Sequence, residues 1–545
     1  MFADHTGEKT VESNFKVVIV GGGSAGWMTA AYLSKALKHS VDICVVESSN
    51  IPTVGVGEAT FSDIHLFFEF LGIREEDWMP ECNASYKLAI RFVNWNAEGR
   101  RFYHPFQKFD LIDGRRAAEW WLKLKKDSQP CDYSCFSVPA ICDRQLSPRY
   151  LDGSVFDSKV NSYLTEARKD DRPLLLEDLQ IQYPYAYHFD ANLLGKFMSR
   201  YAKKRGVKQM LDEVVDVQLA ENGHIQTLVT REHGPVQADL FIDCTGFRGL
   251  LINKVFNEPF ISFLDSLPCD SAVAMQVTND VEREGINPFT TATALSAGWV
   301  WNIPLYHRIG TGYVYASPFI SSDDAERELR QHLGSRAEGC KALHIKMRIG
   351  RNRNSWVKNC VAIGLSSGFV EPLESTGIFF VQHAIEQLVT HFPDKSFVEE
   401  NIKSYNRAVA ELMDGVREFL TLHYVAGTKQ DNAFWKATKH DLAVPEGLAE
   451  RLRLWKYCLP TNRTINQKYH GFQSMSYCVM LLGLGHCPER ALPALDYMDN
   501  SKALAVFEQI RRRTDYLTAT LPAQYEFLKT RYPAEESVLR EVSIS

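Results

Sequence analysis

Three glycines near the start of the chain have the spacing of a dinucleotide-binding loop. The sequence GGGSAG, beginning at Gly21, satisfies G-x-G-x-x-G. In this pattern Gly21 permits a tight turn, Gly23 lets a pyrophosphate approach the backbone, and Gly26 allows close packing of a helix on a strand. Amides at the start of that helix, at Ser24 and Ala25, would face the phosphates. The spacing predicts a bound dinucleotide and does not by itself separate FAD from NAD.

The segments around this loop predict a β-α-β unit. Residues 16–20 (KVVIV) form an apolar, β-branched run typical of a buried parallel strand, and residues 25–37 have helical spacing. A second predicted strand, 41–47, ends in Glu47, whose carboxylate is placed to accept hydrogen bonds from ribose hydroxyls. An acid at this position disfavours a 2′-phosphate and therefore NADP.

Later segments predict two kinds of sheet strand. Residues 239–244 and 360–364 are short strands that feed glycine turns toward a ligand. Residues 272–277 and 299–315 are rich in aromatic and β-branched side chains, which favours a second, more antiparallel sheet.

The C-terminal third has a different pattern. From residue 394 onward long amphipathic helices are predicted, for example over 398–421 and 501–517. We therefore divide the chain into a core, residues 1–393, and a helical region, residues 394–545, that packs onto it.

Composition excludes several classes of function. With 545 residues the chain should form two or three lobes around a large interior, and its net charge of −6 gives no electrostatic footprint for nucleic acid. The polar N-terminus predicts no secretory signal and the apolar runs are too short to span a bilayer, so a cytoplasmic protein that does not enter membranes is expected.

Twelve cysteines are too few for a disulfide scaffold at this length. The local cluster Cys131, Cys135 and Cys142 matches no common zinc spacing, so reduced thiols and no metal are predicted.

Two charged residues have ordinary interpretations when their sequence context is taken alone. Lys87 alternates with apolar neighbours, a pattern typical of the solvent face of a strand; if buried, its amine would need a partner or a lowered pKa. Glu374 precedes a predicted helix and would complement the positive end of the helix dipole.

Five dispersed motifs change both interpretations. They are GGGSAGW at 21–27, VGVGEAT at 54–60, YKLAIRF at 86–92, WVWNIP at 299–304 and PLESTG at 372–377. Together they resemble the flavin-dependent halogenases of the tryptophan halogenase family. The resemblance implies an α/β, flavin monooxygenase-like fold, in which a Rossmann-type FAD lobe and a mixed β-sheet join a helical C-terminal substrate region.

The resemblance also implies a reaction. Reduced FAD (FADH2), O2 and chloride or bromide would yield hypohalous acid, which passes through an internal tunnel to a lysine beside an electron-rich aromatic substrate. Lys87 matches that lysine, and Glu374 matches a glutamate that polarises the oxidant or accepts the ring proton. The backbone amides of Thr376 and Gly377 match a halide site, and Ser375 lies in the same loop at the substrate pocket.

Further residues match positions around the flavin. Trp299 and Trp301 would share one face of a strand and keep the organic substrate away from the flavin. Gly364, in a Gly-Leu pair, stands where related monooxygenases carry Gly-Asp. The segment 54–60 resembles a strap that covers the isoalloxazine. Its predicted contacts with the cofactor are Val54, Gly55, Glu58, Ala59 and Thr60.

The predicted substrate pocket departs from the family pattern in one place. His104 and Phe106 match positions that flank an indole ring. However, the E-x-x-x-F-W element that holds the amino acid part of tryptophan is absent from the corresponding region, 466–478. A buried zwitterion without its counter-charge binds weakly, so an indole, a phenol or a larger indole compound is expected in preference to free tryptophan.

The same resemblance implies a protein partner and leaves two alternative functions open. No second nucleotide fingerprint is present, so a separate NADH-dependent flavin reductase is expected to supply FADH2. A homodimer is slightly favoured on base rates. The alternatives are an FAD-dependent aromatic hydroxylase, which would use the same FAD lobe, and a flavin-binding protein without turnover.

Overall fold

The computed structural model describes residues 14–49, 57–158, 160–161, 183–465 and 471–532. The predicted β-α-β unit is confirmed: strand Phe15–Val20, helix Ser24–Ala36 and strand Val41–Glu47 follow one another, and the two strands pair in parallel. They lie in a six-stranded sheet whose only antiparallel pairing is at one edge. Its strands are, in order, Lys208–Leu211, Val41–Glu47, Phe15–Val20, Leu240–Asp243, Cys360–Ala362 and Trp356–Val357.

The second predicted sheet is also confirmed and has seven strands. Its strands are, in order, Leu343–Lys346, Ser271–Thr278, Arg308–Tyr315, Gly298–Pro304, Phe289–Leu295, Ala89–Val93 and Arg101–Pro105. All neighbours are antiparallel except Phe289–Leu295 and Ala89–Val93, which makes the sheet mixed. The predicted strand 299–315 is in fact two strands, because the chain turns at residues 305–307.

A small sheet joins the strap to the lysine strand. Glu58–Ala59 and Ser85–Lys87 both pair with the central strand Ala186–Phe189, which brings Thr60 and Lys87 together. The remaining sheets are short. They comprise Val214–Leu219, Ile225–Thr230 and Gly234–Val236; Phe260–Ser262, Gly350–Asn352 and Gly368–Phe369; and the hairpin Leu111–Ile112 with Arg115–Arg116.

Helices dominate the C-terminal part, as predicted. The predicted helices 398–421 and 501–517 are Glu399–Ala426 and Asn500–Thr520. The others in this part are Ala433–His440, Glu446–Leu454, Ser474–Gly483 and Gln524–Lys529, and the helix Gly377–Thr390 directly precedes it. Earlier helices are Ile64–Leu71, Glu75–Trp78, Ala117–Leu124, Cys131–Cys135, Val138–Asp143, Ala191–Lys204, Val281–Glu284 and Ser322–Leu333. The main hydrophobic core contains Ile385, Leu412 and Val416, and so runs across residue 393. The boundary at 393/394 stays a prediction.

The three clustered cysteines lie in the protein interior. Cys131 and Cys135 are buried with their sulfurs 3.7 Å apart, and the Cys142 thiol lies 4.0 Å from the Pro288 carbonyl oxygen. Within the described ranges, no three His, Cys, Asp or Glu side chains are grouped so that they could hold a metal ion. None of the helices in those ranges is both long and apolar enough to cross a membrane.

Candidate active site

Lys87 is fully buried, unlike most lysines in alternating sequence. Its Nζ donates to the main-chain oxygen of Thr60 at 3.1 Å and to the hydroxyl of Ser375 at 2.9 Å. The same atom lies 5.4 Å from the centre of the Phe106 ring. Burial lowers the pKa of the Lys87 amine to about 7, although the charge of Glu374 acts in the opposite direction. A substantial fraction of this amine is therefore neutral near neutral pH.

The small sheet explains how Lys87 reaches this position. Side chains alternate along a strand, so Tyr86 and Lys87 point to opposite faces. The Tyr86 hydroxyl donates to Glu75 at 2.9 Å on one face, and Lys87 enters the candidate site on the other. Thr60 is fixed beside it, because the Thr60 amide donates to the Tyr187 carbonyl at 3.0 Å and the Tyr187 amide donates to the Thr60 hydroxyl at 3.2 Å.

Glu374 is buried between two histidines. His104 Nδ1 lies 3.1 Å from both carboxylate oxygens, and His423 Nε2 lies 2.8 Å from Oε1. Burial acts to raise the pKa of Glu374, but these histidines outweigh it and hold the pKa at about 2. The carboxylate is therefore ionised, and it faces into the protein instead of only complementing the dipole of the helix that follows.

A tight turn carries the chain from Glu374 into the helix Gly377–Thr390. Ser375 has a left-handed backbone with φ of 61°, which lets consecutive residues reach different partners. The first amides of a helix have no intrahelical acceptor and carry the positive end of its dipole. Among the described residues, the buried Thr376 hydroxyl finds no hydrogen-bond partner and a Cβ added to Gly377 would have no neighbouring atom within 4 Å. The N-terminal end of the helix thus offers amide donors and room for a small anion.

Aromatic rings line the region next to Lys87 and Glu374. The Phe61 ring lies 6.4 Å from Phe106, 5.3 Å from Phe379 and 4.9 Å from Phe472, measured between centroids. Phe472 also stacks on Phe419 at 3.9 Å. His104 and Phe106, which the sequence places beside a substrate ring, therefore stand in an aromatic surrounding. Of the segment 466–478 that lacks the E-x-x-x-F-W element, residues 466–470 lie outside the described residues.

Trp299 and Trp301 do share one face, and both are buried in the main core. The Trp299 indole N–H donates to Glu371 Oε2 at 3.2 Å, and the Tyr424 hydroxyl donates to the same oxygen. The Cys269 amide donates to the other oxygen of Glu371 at 3.1 Å. Burial raises the pKa of Glu371 to about 7. Trp299 is thereby fixed to a residue only three positions before Glu374.

The glycine loop fits a dinucleotide because it has no room for side chains. A Cβ on Gly21, whose φ is +113°, would lie 2.3 Å from the Cys244 carbonyl oxygen, and a Cβ on Gly26 would lie 1.9 Å from the Gly21 carbonyl oxygen. Gly23 is the residue that caps the following helix. The Glu47 carboxylate lies over the loop, with Oε2 1.3 Å from where a Cβ of Gly22 would stand.

Other predicted cofactor residues gather around the same loop or along the strap. Gly364, with φ of +81°, approaches so closely that its Cβ would lie 2.9 Å from the Cβ of Ala25. The Ser24 hydroxyl donates to the Ala191 carbonyl at 2.9 Å. Glu58 is in the small sheet, and burial raises its pKa to about 7. Ala59 and Thr60 adjoin it, whereas Val54 and Gly55 lie outside the described residues.

Sequence reasoning missed four residues that complete this arrangement: His423, Tyr424, Glu371 and Phe472. His423 and Tyr424 stand just beyond the predicted end of helix 398–421. The sequence signal for them would have been a histidine and a tyrosine in the run 419–426, where every residue is buried. Glu371 directly precedes the PLESTG motif. Its sequence context does not distinguish it from an exposed acid, because its burial depends on partners that are distant in the chain.

Comparison with known proteins gives one consistent result. The tryptophan halogenase family model matches residues 16–174 and 157–500. Tryptophan 6-halogenase SttH of Streptomyces toxytricini is 52% identical over 94% of this chain and 97% of its own, and its crystal structure superposes with a TM-score of 0.89 over 95% and 99% of the two chains. A tryptophan C-6 flavin-dependent halogenase (chlorinase) from taromycin biosynthesis is also 52% identical, with a TM-score of 0.88 over 95% of this chain and all of its own. Tryptophan 7-halogenase RebH of Lentzea aerocolonigenes is 40% identical over 95% and 98%.

Proposed function

Because the chain belongs to the tryptophan halogenase family, we propose that it halogenates the indole of tryptophan at carbon 6, with Lys87 delivering the halogen and Glu374 taking the ring proton. The protein is a flavin-dependent halogenase that uses FADH2, O2 and a halide.

The observation that carries the proposal is the buried contact between Lys87 and the residue next to Glu374. Lys87 Nζ lies 2.9 Å from Ser375 Oγ, in a region lined by phenylalanine rings. Neither Lys87 nor Glu374 is needed to hold a nucleotide, and burying both charged groups costs stability, which favours a catalytic reason for their burial. A non-catalytic flavin protein and a simple hydroxylase give no reason for this pair.

Tryptophan replaces the broader range of substrates expected from the sequence. The missing E-x-x-x-F-W element argues against free tryptophan, yet two relatives that share half of their residues with this chain are named for tryptophan and its position 6. If this chain binds tryptophan, groups other than the E-x-x-x-F-W element must hold the amino acid part. Bare indoles and phenols are the competing substrates.

Lys87 provides an amine that is neutral in part and shielded from bulk water. When bound, reduced FAD would use O2 to oxidise the halide to hypohalous acid. The residues that would hold this cofactor are Gly21, Gly23, Gly26 and Glu47. The Lys87 amine then binds hypohalous acid, or becomes a haloamine, beside the aromatic pocket. Because Nζ is fixed by Thr60 and Ser375, it presents the halogen from one direction, which selects one ring carbon.

Glu374 and the start of the following helix have separate roles. The ionised Glu374 acts as a base for the proton that leaves the halogenated ring carbon. The amides of Thr376 and Gly377, together with the unpartnered Thr376 hydroxyl, hold the halide at the positive end of the helix. Trp299, fixed by Glu371, keeps the organic substrate on the Lys87 side.

A single assay tests the proposed function. The protein is incubated with a separate flavin reductase, which enzymes of this class need, and with FAD, NADH and chloride or bromide. Tryptophan, bare indoles and phenols are offered in parallel, and products are identified by mass spectrometry and NMR. We expect 6-halotryptophan as the main product. Hydroxylated products in the presence of halide would contradict the proposal, and halogenation of indoles or phenols but not tryptophan would refute its substrate.

A further inference from the structure

His423, in the helix Glu399–Ala426, contacts the Glu374 carboxylate. Its Nε2 lies 2.8 Å from Glu374 Oε1, and its Nδ1 lies 2.8 Å from the main-chain oxygen of Phe419, one helical turn earlier. Only 1% of His423 and 2% of Glu374 are exposed to solvent. Both contacts of this imidazole are therefore shielded from bulk water.

Hydrogen-bond accounting requires a proton in the contact between His423 and Glu374. A carbonyl oxygen only accepts, so Nδ1 of His423 carries a hydrogen for Phe419. An ionised carboxylate also only accepts, so Nε2 carries a second hydrogen, since otherwise two lone pairs would face each other across 2.8 Å. The other arrangement, a protonated Glu374 donating to a bare Nε2, holds the same proton on the other side. In both cases the pair contains one transferable proton.

The surroundings determine where this proton can go. From the strand Arg101–Pro105, His104 Nδ1 lies 3.1 Å from both Glu374 oxygens, and Lys87 is close enough for its charge to interact with Glu374. Rings pack around the imidazole of His423, with centroid distances of 5.5 Å for Phe92, 6.4 Å for Trp95 and 4.9 Å for Phe419. Within the described part of the chain, the hydrogen-bond partner of Nδ1 is the Phe419 carbonyl oxygen, which cannot pass a proton on. The His423–Glu374 pair thus holds one proton and can exchange it only through the Glu374 carboxylate.

We propose that His423 is a positioning residue that shares one proton with Glu374, so that this carboxylate can give a proton to the leaving oxygen and take one from the ring. The proposal rests on the proposed role of Glu374. As hypohalous acid reacts, its halogen–oxygen bond breaks, the carbon–halogen bond forms, and the leaving oxygen takes the stored proton and becomes water. The ring carbon then releases its proton to Glu374, and its C–H electron pair restores the aromatic ring. Substrate and hypohalous acid thus give halogenated product and water, and the pair holds one proton again.

The test compares two histidines with the same local geometry. His423→Gln keeps an amide N–H that can reach Glu374 but cannot exchange a proton. His391→Gln is the matched control, because His391 Nδ1 also lies 2.9 Å from a carbonyl oxygen one turn earlier, that of Gln387, while its Nε2 lies 2.9 Å from the Ser404 hydroxyl. Each variant is assayed with reductase, FAD, NADH and chloride, using tryptophan with hydrogen or deuterium on the benzene ring.

We expect His423→Gln to lower kcat by about 100-fold, as loss of general acid–base assistance does. Its KM for tryptophan should stay near the wild-type value, and a primary isotope effect from the ring deuterium should appear, because proton removal becomes rate-limiting. His391→Gln should behave as the wild type. Wild-type kcat without an isotope effect in His423→Gln would overturn the proposal.

Two further measurements keep the result interpretable. If His423→Gln does not fold, nitrogen-15 NMR of labelled histidine in the wild type, with the signal assigned by its contacts with the rings of Phe92 and Phe419, must show a protonated Nδ1. An unprotonated Nδ1 would overturn the proposal. Glu374→Gln distinguishes a failure of the proposed role of Glu374 from a failure of the role of His423. Full activity in Glu374→Gln would refute the proposed function of Glu374, whereas loss in Glu374→Gln with wild-type behaviour in His423→Gln would refute only the role of His423.

Discussion

The amine of Lys87 donates a hydrogen bond of 2.9 Å to the hydroxyl of Ser375, although 288 residues separate the two in the chain. The contact connects the strand Ser85–Lys87 to the turn that carries Glu374, and it is buried on all sides. The Lys87 amine, the Glu374 carboxylate and the start of the helix Gly377–Thr390 are therefore held in one buried region.

Stability should depend on pH through Lys87. The pKa of its amine is about 7 in the fold and 10.5 ordinarily, so between these values the unfolded chain binds more protons and folding becomes more favourable as pH rises. Lys87→Met, of similar volume, should raise the free energy of unfolding at pH 7 by about 2–4 kcal/mol, and the gain should shrink toward pH 10. Urea unfolding at the two pH values measures this. An equal difference at both pH values would show that the amine is not titrating in the fold.

The glycine loop should lose its cofactor when Gly26 gains a side chain. Because a Cβ there would lie 1.9 Å from the Gly21 carbonyl oxygen, Gly26→Ala must displace the loop backbone. We expect FAD binding to weaken by about 100-fold or more, which corresponds to roughly 3 kcal/mol, as followed by quenching of flavin fluorescence. Gly447→Ala is the control, since its Cβ would meet only the flexible side chain of Arg451 at 3.4 Å. Wild-type affinity in Gly26→Ala would refute this account of the loop.

The β-α-β unit could be predicted from the sequence almost to the residue, because its strands are buried on both faces and its turn needs glycine. The predicted helix 398–421 continues to Ala426 in the structure. Its last two turns were missed because they are buried on all sides and show no amphipathic period. The candidate site was predicted only in part. Glu374 has partners 270 and 49 residues away, on a strand and a helix, and no local spacing reports such contacts.

Halide affinity should depend on the space at Gly377. A Cβ at this position meets no atom of the residues that the structure describes, so Gly377→Ala should fold normally while filling the room next to the first amides of the helix. We expect the KM for chloride to rise by about tenfold with little change in FAD affinity, as for the loss of roughly 1.4 kcal/mol of binding. Initial rates against chloride concentration measure it. An unchanged chloride KM would move the halide site away from this helix.

Glu371 should matter for stability because several donors converge on it. Glu371→Ala would leave the Trp299 indole N–H and the Tyr424 hydroxyl buried without their acceptor, at a cost of about 2–4 kcal/mol in the free energy of unfolding. Glu371→Gln, which keeps an accepting oxygen, should recover part of this. Glu399→Ala, at an exposed ion pair with Lys403, should be nearly neutral. A loss in Glu371→Ala no larger than in Glu399→Ala would show that these donors find other partners.

The most direct test separates making the oxidant from delivering it. Lys87→Ala and the control Lys403→Ala, at an exposed lysine, are assayed for FAD binding, for hypohalous acid released to a trapping reagent, and for halotryptophan by mass spectrometry. We predict that Lys87→Ala binds FAD and releases trapped hypohalous acid but forms no halotryptophan, while Lys403→Ala matches the wild type. Halotryptophan formed by Lys87→Ala at the wild-type rate and at the same ring position would contradict the account.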